Sequence, residues 1–308
     1  MKKLLLSAAL LLPGVALAQF DEASLKKVQV KALPVAGNVT LLEGAGGNIG
    51  VSAGPDGILI VDDQFAPLVP KIRDALGKLA KGKDKKPAYV LNTHWHFDHT
   101  GSNAAFGKDG STIIAHSHVR TRLMAGMDSA ATGMKIPPAP KEALPVITYD
   151  QGISIFFNGE EIQVKHLPAG HTDGDSIVYF TGSNVLHMGD LFTGDKFPFI
   201  DLESGGTLEG YLRNVEQVLQ TLPAGVKLIP GHGALSGREQ LETFAGMLRD
   251  TVALVKGKLA AGKTLDQVKA EGMPEKYKSW GDGFVKPEMW LTIAYQSLSA
   301  QKPDATKK

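Results

Sequence analysis

The chain has 308 residues, 43% of them hydrophobic and 21% charged, with a formal net charge of +1. That length suits one large domain or two small ones, and a charge near zero argues against nucleic acid or an acidic membrane surface as partner. The sequence contains no cysteine, which excludes disulfides, thiolate zinc sites and Cys-ligated iron–sulfur clusters and leaves His, Asp and Glu as the metal ligands available.

The N-terminus reads as a targeting segment. Lys2 and Lys3 precede the apolar run Leu4 to Leu12, which is too short to span a bilayer. Pro13-Gly14 breaks that run, and Ala16-Leu17-Ala18 is a small-x-small cleavage pattern. Residues 1–18 are therefore expected to be a signal peptide cleaved after Ala18. The mature protein is then exported, periplasmic in a Gram-negative cell, and free of the membrane.

Asp21 to Lys31 is polar and reads as a loose arm. Val39–Leu42, Ile49–Ser52 and Ile58–Val61 read as strands, separated by Gly44-Ala45-Gly46-Gly47-Asn48 and the turn Pro55-Asp56-Gly57. This is a hairpin meander; its glycines do not match a GxGxxG dinucleotide fingerprint. Leu68, Ile72, Ala75, Leu76 and Leu79 fall at helical spacing and predict a helix within 67–81. The lysines at 78, 81, 83, 85 and 86 read as a solvated loop. Ala88–Leu91 is a buried strand, and Thr112–Ala115 is another, running into His116 and His118. Arg120 to Pro145, with Met124, Met127, Met134 and Pro137-Pro138-Ala139-Pro140, reads as an irregular excursion, either a lid or a surface loop.

Strands resume at Ile153–Phe156, Ile162–Val164, Ile177–Phe180 and Val185–Met188. Leu208, Leu212, Val215 and Leu219 form one stripe of a helix, and Lys227–Pro230 is a last short strand. Ser236-Gly237-Arg238-Glu239 reads as a capping box opening a helix with Leu241, Phe244, Leu248, Val252 and Val255. Two short helices are expected within 265–298, around Trp280-Gly281-Asp282-Gly283. No period of 20–50 residues recurs. Strand-rich halves with interspersed helices fit an α/β fold of two packed sheets with helices outside.

The chemistry concentrates in Thr93-His94-Trp95-His96-Phe97-Asp98-His99. Imidazole nitrogen and carboxylate oxygen are ligands that Zn²⁺ and similar ions prefer. Side chains alternate at a strand end, so His94 and His96 can chelate one ion, while Asp98 and His99, past a bend, face a second position. His171, Asp190 and His232 each follow a glycine at a strand end, where a sharp turn lets a side chain project. The seven together suit two ions with a bridging carboxylate. Asp62, at a strand end, is a candidate acceptor for a ligand imidazole. Asp173 and Asp175 either do the same for His171 or face solvent. His116 is a candidate substrate contact, and His166 and His187 read as core or supporting residues. Trp95, Phe197 and Phe199 either wall an apolar pocket or pack internally.

His94-x-His96-x-Asp98-His99, followed in order by His171, Asp190 and His232, resembles the motif set of the metallo-β-lactamase-fold superfamily, over about Val39 to Leu254. The resemblance implies a four-layer αβ/βα sandwich over residues 19–262, with 263–308 left as a C-terminal helical extension. It implies that His94, His96 and His171 bind a first metal, Asp98, His99 and His232 a second, and that Asp190 bridges them. The implied protein is a dinuclear hydrolase with two Zn²⁺, iron and manganese also being compatible. Its metal-bridging hydroxide, oriented by Asp98, would attack a small-molecule amide, ester, thioester or lactone. An acidic residue at position 190 is typical of the glyoxalase II-like and lactonase-like branches, whereas β-lactamases usually carry Cys or Ser there. β-Lactam hydrolysis is thus expected mainly as a secondary activity. Two rival readings are a mononuclear iron sulfur-compound dioxygenase of the same fold and a non-catalytic periplasmic metal-dependent binding protein. Di-iron oxygen reducers of the superfamily typically have Glu where His96 stands. No motif speaks to an oligomeric state.

Overall fold

The structure, a computed structural model, describes residues 22–80, 86–129, 133 and 135–300. The expected signal peptide, Lys81, Lys83, Lys85 and Met134 lie outside the described residues. After a short helix α1 (Glu22–Leu25), β1 (Lys31–Ala36), β2 (Val39–Glu43), β3 (Ile49–Gly54) and β4 (Gly57–Val61) form an antiparallel meander. Helix α2 (Val69–Leu79) leads to β5 (Tyr89–Asn92), and α3 (Phe97–Thr100) and α4 (Asn103–Lys108) lead to β6 (Thr112–His116). Helix α5 (Ser117–Ala125) and a small hairpin, β7 (Met127–Asp128) and β8 (Lys135–Ile136), precede β9 (Ile147–Tyr149). The first sheet runs β1-β2-β3-β4-β5-β6-β9 and is parallel from β4 onward.

The second sheet follows: β10 (Gly152–Phe157), β11 (Glu160–His166), β12 (Ser176–Phe180), β13 (Val185–His187) and β14 (Lys227–Ile229), in that order. Its pairs are antiparallel except β13–β14, whose parallel crossover is made by α6 (Leu208–Thr221). Helices α7 (Arg238–Ala260), α8 (Leu265–Glu271) and α9 (Pro287–Ser299) complete the chain.

Residue parity explains the layers. In β4, Ile58 and Ile60 pack outward on Ile72 and Leu76 of α2 and Phe106 of α4. Leu59 and Val61 pack inward with Val164, Val178 and Val185 of the second sheet. A strand covered on both faces reads as an unbroken apolar run, which is why Ile58-Leu59-Ile60-Val61 lacks polar alternation. The second sheet mirrors this: Val185 and Ile229 face inward, while Leu186 and Leu228 pack under α6, α7 and α9. The result is an αβ/βα sandwich. Trp290 and Leu291 of α9 and Val268 of α8 enter the same core as Tyr211, Phe244 and Leu248, so the C-terminal helices share the core of the second half. The Trp290 indole N–H donates to Thr251 Oγ1 at 3.1 Å, which removes the penalty of burying it.

Several expectations are corrected. Part of the supposed arm is helix α1, and its last residue begins β1. That strand is an edge, carries Pro34 and a register shift, and buries only Val35, so it has no periodicity to read. The excursion after Arg120 begins inside α5, which buries only Val119. The excursion rests against Trp95 and Phe97, enclosing a cleft of about 190 Å³ lined also by Leu123, Ile136 and Pro137. The long helix α7 opens one residue later than the capping box implies. Ser236 is held by two 2.9 Å backbone hydrogen bonds with Leu228, so Gly237 becomes the cap and its N–H donates to Gln240 Oε1 at 2.9 Å.

Candidate metal centre

The strands deliver the seven residues to one edge of the sandwich. β5 ends at Asn92 and the chain turns at His96, whose carbonyl accepts from the N–H groups of His99 and Thr100; that bend opens α3. His171 follows β11, Asp190 follows β13 and His232 follows β14. His94, His96 and His171 place their ligand atoms within 4.8 Å of one another, as do His94, His99 and Asp190, and Asp98, His99 and His232. His171 Nε2 lies 2.8 Å from His96 Nδ1. His99 Nε2 lies 3.1 Å from Asp190 Oδ1 and 3.2 Å from His232 Nε2. His232 Nε2 is 3.3 Å from Asp98 Oδ2 and 3.4 Å from Asp190 Oδ2, and the latter is 3.6 Å from His171 Nε2. Asp190 therefore touches both groups. Nitrogens bound tetrahedrally at ~2.0–2.1 Å from one zinc would sit roughly 3.3 Å apart, the scale seen here.

The outward-facing nitrogens are already committed. His99 Nδ1 donates to Asp62 Oδ2 at 2.8 Å. His96 Nε2 donates to Asp201 Oδ2 at 3.0 Å, and His171 Nδ1 to the Phe199 carbonyl at 2.7 Å. Thr93 Oγ1 donates to Asp62 Oδ2 at 2.8 Å and accepts from His94 Nδ1 at 3.0 Å. Asp62 thus sets the tautomer of His99 directly and of His94 through Thr93. The inner nitrogens of His94, His96 and His171 are left facing one another. Buried His94 Nε2 has no hydrogen-bond partner. Lone pairs converging in a buried site repel unless a cation stands between them, so the donor set fits divalent metal.

Other residues hold this edge together. Asp62 adopts φ 63, a left-handed conformation that Asp tolerates better than bulkier residues. Asn48 Nδ2 donates to the carbonyls of Pro230 and Gly233, both at 2.9 Å. The Asn48 carbonyl accepts from His187 Nε2 at 3.0 Å, and His187 Nδ1 accepts from the Gly189 N–H at 3.1 Å. One asparagine and one histidine so tie the β2–β3 loop to the loops bearing Asp190 and His232. Gly231 is required by close approach: a Cβ there would lie 2.0 Å from Asp190 Oδ1 and 2.6 Å from the Gly189 carbonyl carbon. Asp175 accepts from the backbone N–H of His171 and of Thr172 and from the Thr172 hydroxyl. It shapes the His171 loop and does not touch the imidazole.

Electrostatics divides the site. Burial, helped by neighbouring His99, holds His94 well below the ordinary imidazole range. Burial takes His171 down to about 4. Burial also disfavours charge on His232, but Asp190 and Asp98 outweigh it and lift that imidazole to about 10. His99 is raised in the same way, burial being overcome by Asp190, Asp98 and Asp62. Against burial, His99 and His232 hold Asp98 at about 2, and His232 and His99 keep Asp190 well below the carboxylate range. Charge is disfavoured on His94 and His171, whereas Asp98, His99, Asp190 and His232 form a carboxylate–imidazolium quartet in which a cation would replace protons.

The structure brings together all seven predicted candidates and sets Asp62 behind them. It does not group His116 with them. That ring stacks on His166 with centroids 3.8 Å apart, and its Nε2 donates to the Asp150 carbonyl at 3.1 Å. Asp173 pairs with Arg122 through two hydrogen bonds of 2.8 and 2.6 Å. Phe197 is packing, stacked on Trp290, whereas Trp95, packed on Ala115 and Val119, lines the apolar cleft under the excursion with its ring 5.2 Å from that of His96. Phe199 remains at the site, its ring 6.0 Å from that of His96 and 6.2 Å from that of His171. Sequence reasoning missed Asp201, Thr93 and Asn48 as supporting residues. Thr93, directly before His94, was the one with a local signal.

The family profile described as "Metallo-beta-lactamase superfamily" matches residues 32–232. The 2,4-dinitroanisole O-demethylase subunit alpha of Nocardioides sp. (strain JS1661) is 25% identical over 76% of this chain and 66% of its own length. The metallo-beta-lactamase type 2 of Bacteroides fragilis is 23% identical over 59% of this chain and 65% of its own. The acyl-coenzyme A thioesterase MBLAC2 of Gallus gallus is 24% identical over 58% and 68%. The chain thus spans about two thirds of the length of these relatives. Among solved structures, the metallo-beta-lactamase from Pontibacter korlensis superposes with a TM-score of 0.57 at 16% identity, covering 72% of this chain and 100% of that one. Metallo-beta-lactamase IND-7 gives 0.58 at 19% identity, over 73% and 99%. With the profile spanning most of the chain and the fold shared with these structures, the chain belongs to the metallo-beta-lactamase superfamily.

Proposed function

We propose that this chain is a dinuclear zinc-dependent hydrolase of small-molecule carbonyl substrates, an ester, thioester, lactone or amide. The observation that carries the reading is the commitment of the outer nitrogens of His94, His96 and His171 to oxygen partners, which leaves their inner nitrogens convergent beside the Asp98, His99, Asp190 and His232 group. His94, His96 and His171 would hold one ion, Asp98, His99 and His232 the other, with Asp190 between. Divalent cations supply Lewis acidity there, lowering the pKa of water from ~15.7 toward ~7 and polarising a carbonyl. The side chains of His232 and Asp98 are 37% and 20% exposed, so substrate approaches from their side. Asp98, ionised across the neutral range, accepts a hydrogen bond from the attacking water and orients it. The buried imidazoles exclude bulk water behind the reacting carbonyl. The thioesterase and β-lactamase relatives support acyl transfer to water. Asp190 favours general hydrolysis, with β-lactams as secondary substrates.

The test is metal analysis of the purified protein with a panel of nitrocefin, lactones, thioesters and phosphodiesters. Two equivalents of zinc with lactone or thioester turnover is the expected result. One equivalent of iron with oxygen consumption on a persulfide would replace the reading. Tight metal binding with no turnover would point to a binding protein.

A further inference from the structure

Phe284 is a half-exposed aromatic at 50%, while its neighbour Val285 is 2% exposed and locked in the core. Single exposed apolar side chains are ordinary on a protein surface. Phe284 differs because its ring packs edge-to-face on Phe199, with centroids 6.4 Å apart. Phe199 in turn lies against the His96 and His171 rings. Among the described residues, the other large exposed hydrophobics, such as Leu33, Val146 and Phe156, show no such chain of ring contacts to the imidazoles.

The position is fixed on both sides. The Phe199 carbonyl accepts from His171 Nδ1, so the residue is tied to a ligand imidazole. The segment before Phe284 is pinned to the same loop. The Phe197 N–H donates to the Trp280 carbonyl at 3.1 Å, and Lys196 Nζ donates to the Ser279 carbonyl at 3.2 Å. The C-terminal extension therefore places an aromatic ring at the rim of the metal centre.

We infer that Phe199 and Phe284 form an aromatic recess beside the first metal position that takes a flat apolar substituent, an aryl group above all, carried next to the scissile carbonyl. Aromatic rings at 4.5–7 Å in tilted or T-shaped arrangement attract beyond the area they bury, and the open half of Phe284 offers such a contact. This specificity rests on the hydrolase reading.

The experiment compares γ-butyrolactone with α-phenyl-γ-butyrolactone in the full-length zinc-loaded protein and its Phe284→Ala and Phe284→Tyr variants. Alongside, acetate and phenylacetate are titrated calorimetrically as product probes. Phe284→Ala should lower kcat/KM for the phenyl lactone about three- to tenfold and weaken phenylacetate by a similar factor. The unsubstituted lactone and acetate should stay within about twofold, and Phe284→Tyr should restore the discrimination. An equal effect on both lactones, or no effect on either, would overturn the inference and leave the hydrolase intact. If nothing is hydrolysed but phenylacetate still outbinds acetate in a Phe284-dependent way, the hydrolase reading fails and the recess stands.

Discussion

Replacing Asp62 by Asn isolates the role of one buried carboxylate. Asn tolerates the left-handed backbone at φ 63 as well as Asp does, so the loop should keep its path. Oδ1 still accepts from the Thr93 N–H, now at 2.8 Å. The amide NH₂ then faces both Thr93 Oγ1 and His99 Nδ1, where Oδ2 accepted two hydrogen bonds at 2.8 Å. Two donors cannot pair. Either His99 moves its proton to Nε2, into the second metal position, or a buried N–H stays unpaired at a cost of about 1–3 kcal/mol. Loss of such an outer partner typically weakens metal affinity about 10–100-fold, or about 1.4–2.7 kcal/mol, so the two routes agree in size. The Thr93 hydroxyl, receiving from the amide, also competes with His94 Nδ1, which weakens the first position to a lesser degree. Zinc competition titration against a chromophoric chelator, with circular dichroism of the metal-free variant, measures this. A folded Asn variant with unchanged zinc affinity at both positions would refute the tautomer argument.

Further outcomes follow from particular contacts. Gly231→Ala should displace Asp190 and cut zinc content, since its Cβ would meet Asp190 Oδ1 at 2.0 Å. Gly246→Ala in α7 meets nothing within 4 Å and should raise stability by about 0.5–1 kcal/mol, read as a higher Tm. Burial, with His166 adding, pushes the His116 imidazole down to about 4; its His118 neighbour lowers it slightly and the Asp150 carbonyl and carboxylate oppose. Because the folded value lies below the unfolded one of about 6.5, the folded state binds fewer protons in that window, and stability should fall as pH drops from 6.5 through 4. Urea midpoints at pH 7 and pH 5 should fall less for His116→Asn than for the parent; equal losses would discount His116. Trp290→Ala should cost about 3–5 kcal/mol, measured by urea unfolding, because α9 belongs to the main core.

The sheets were legible where both faces are covered. β4, β5, β6 and β14 are short apolar runs, and the ends of β4, β5 and β14 carry the polar residues that turn to the site. The grouping of the candidate ligands was legible because a strand end beside a glycine is a local signal, repeated at His171, Asp190 and His232. What supports them was not. Asp201 reaches His96 across 105 positions, and Asn48 reaches Pro230 across 182, so no local spacing records either pair. The stacking of His116 on His166 was not legible for the same reason, since His166 lies on a strand of the other sheet. Helix α5 and strand β1 bury one residue each, and periodicity needs a buried face to leave a trace.

Zinc-edge anomalous diffraction from crystals of the zinc-loaded protein tests the central claim most directly. Two peaks are predicted, one among His94 Nε2, His96 Nδ1 and His171 Nε2, the other among Asp98, His99 Nε2 and His232 Nε2, with Asp190 reaching both. A single peak, or a metal held through His96 Nε2 on the Asp201 side, would contradict the account.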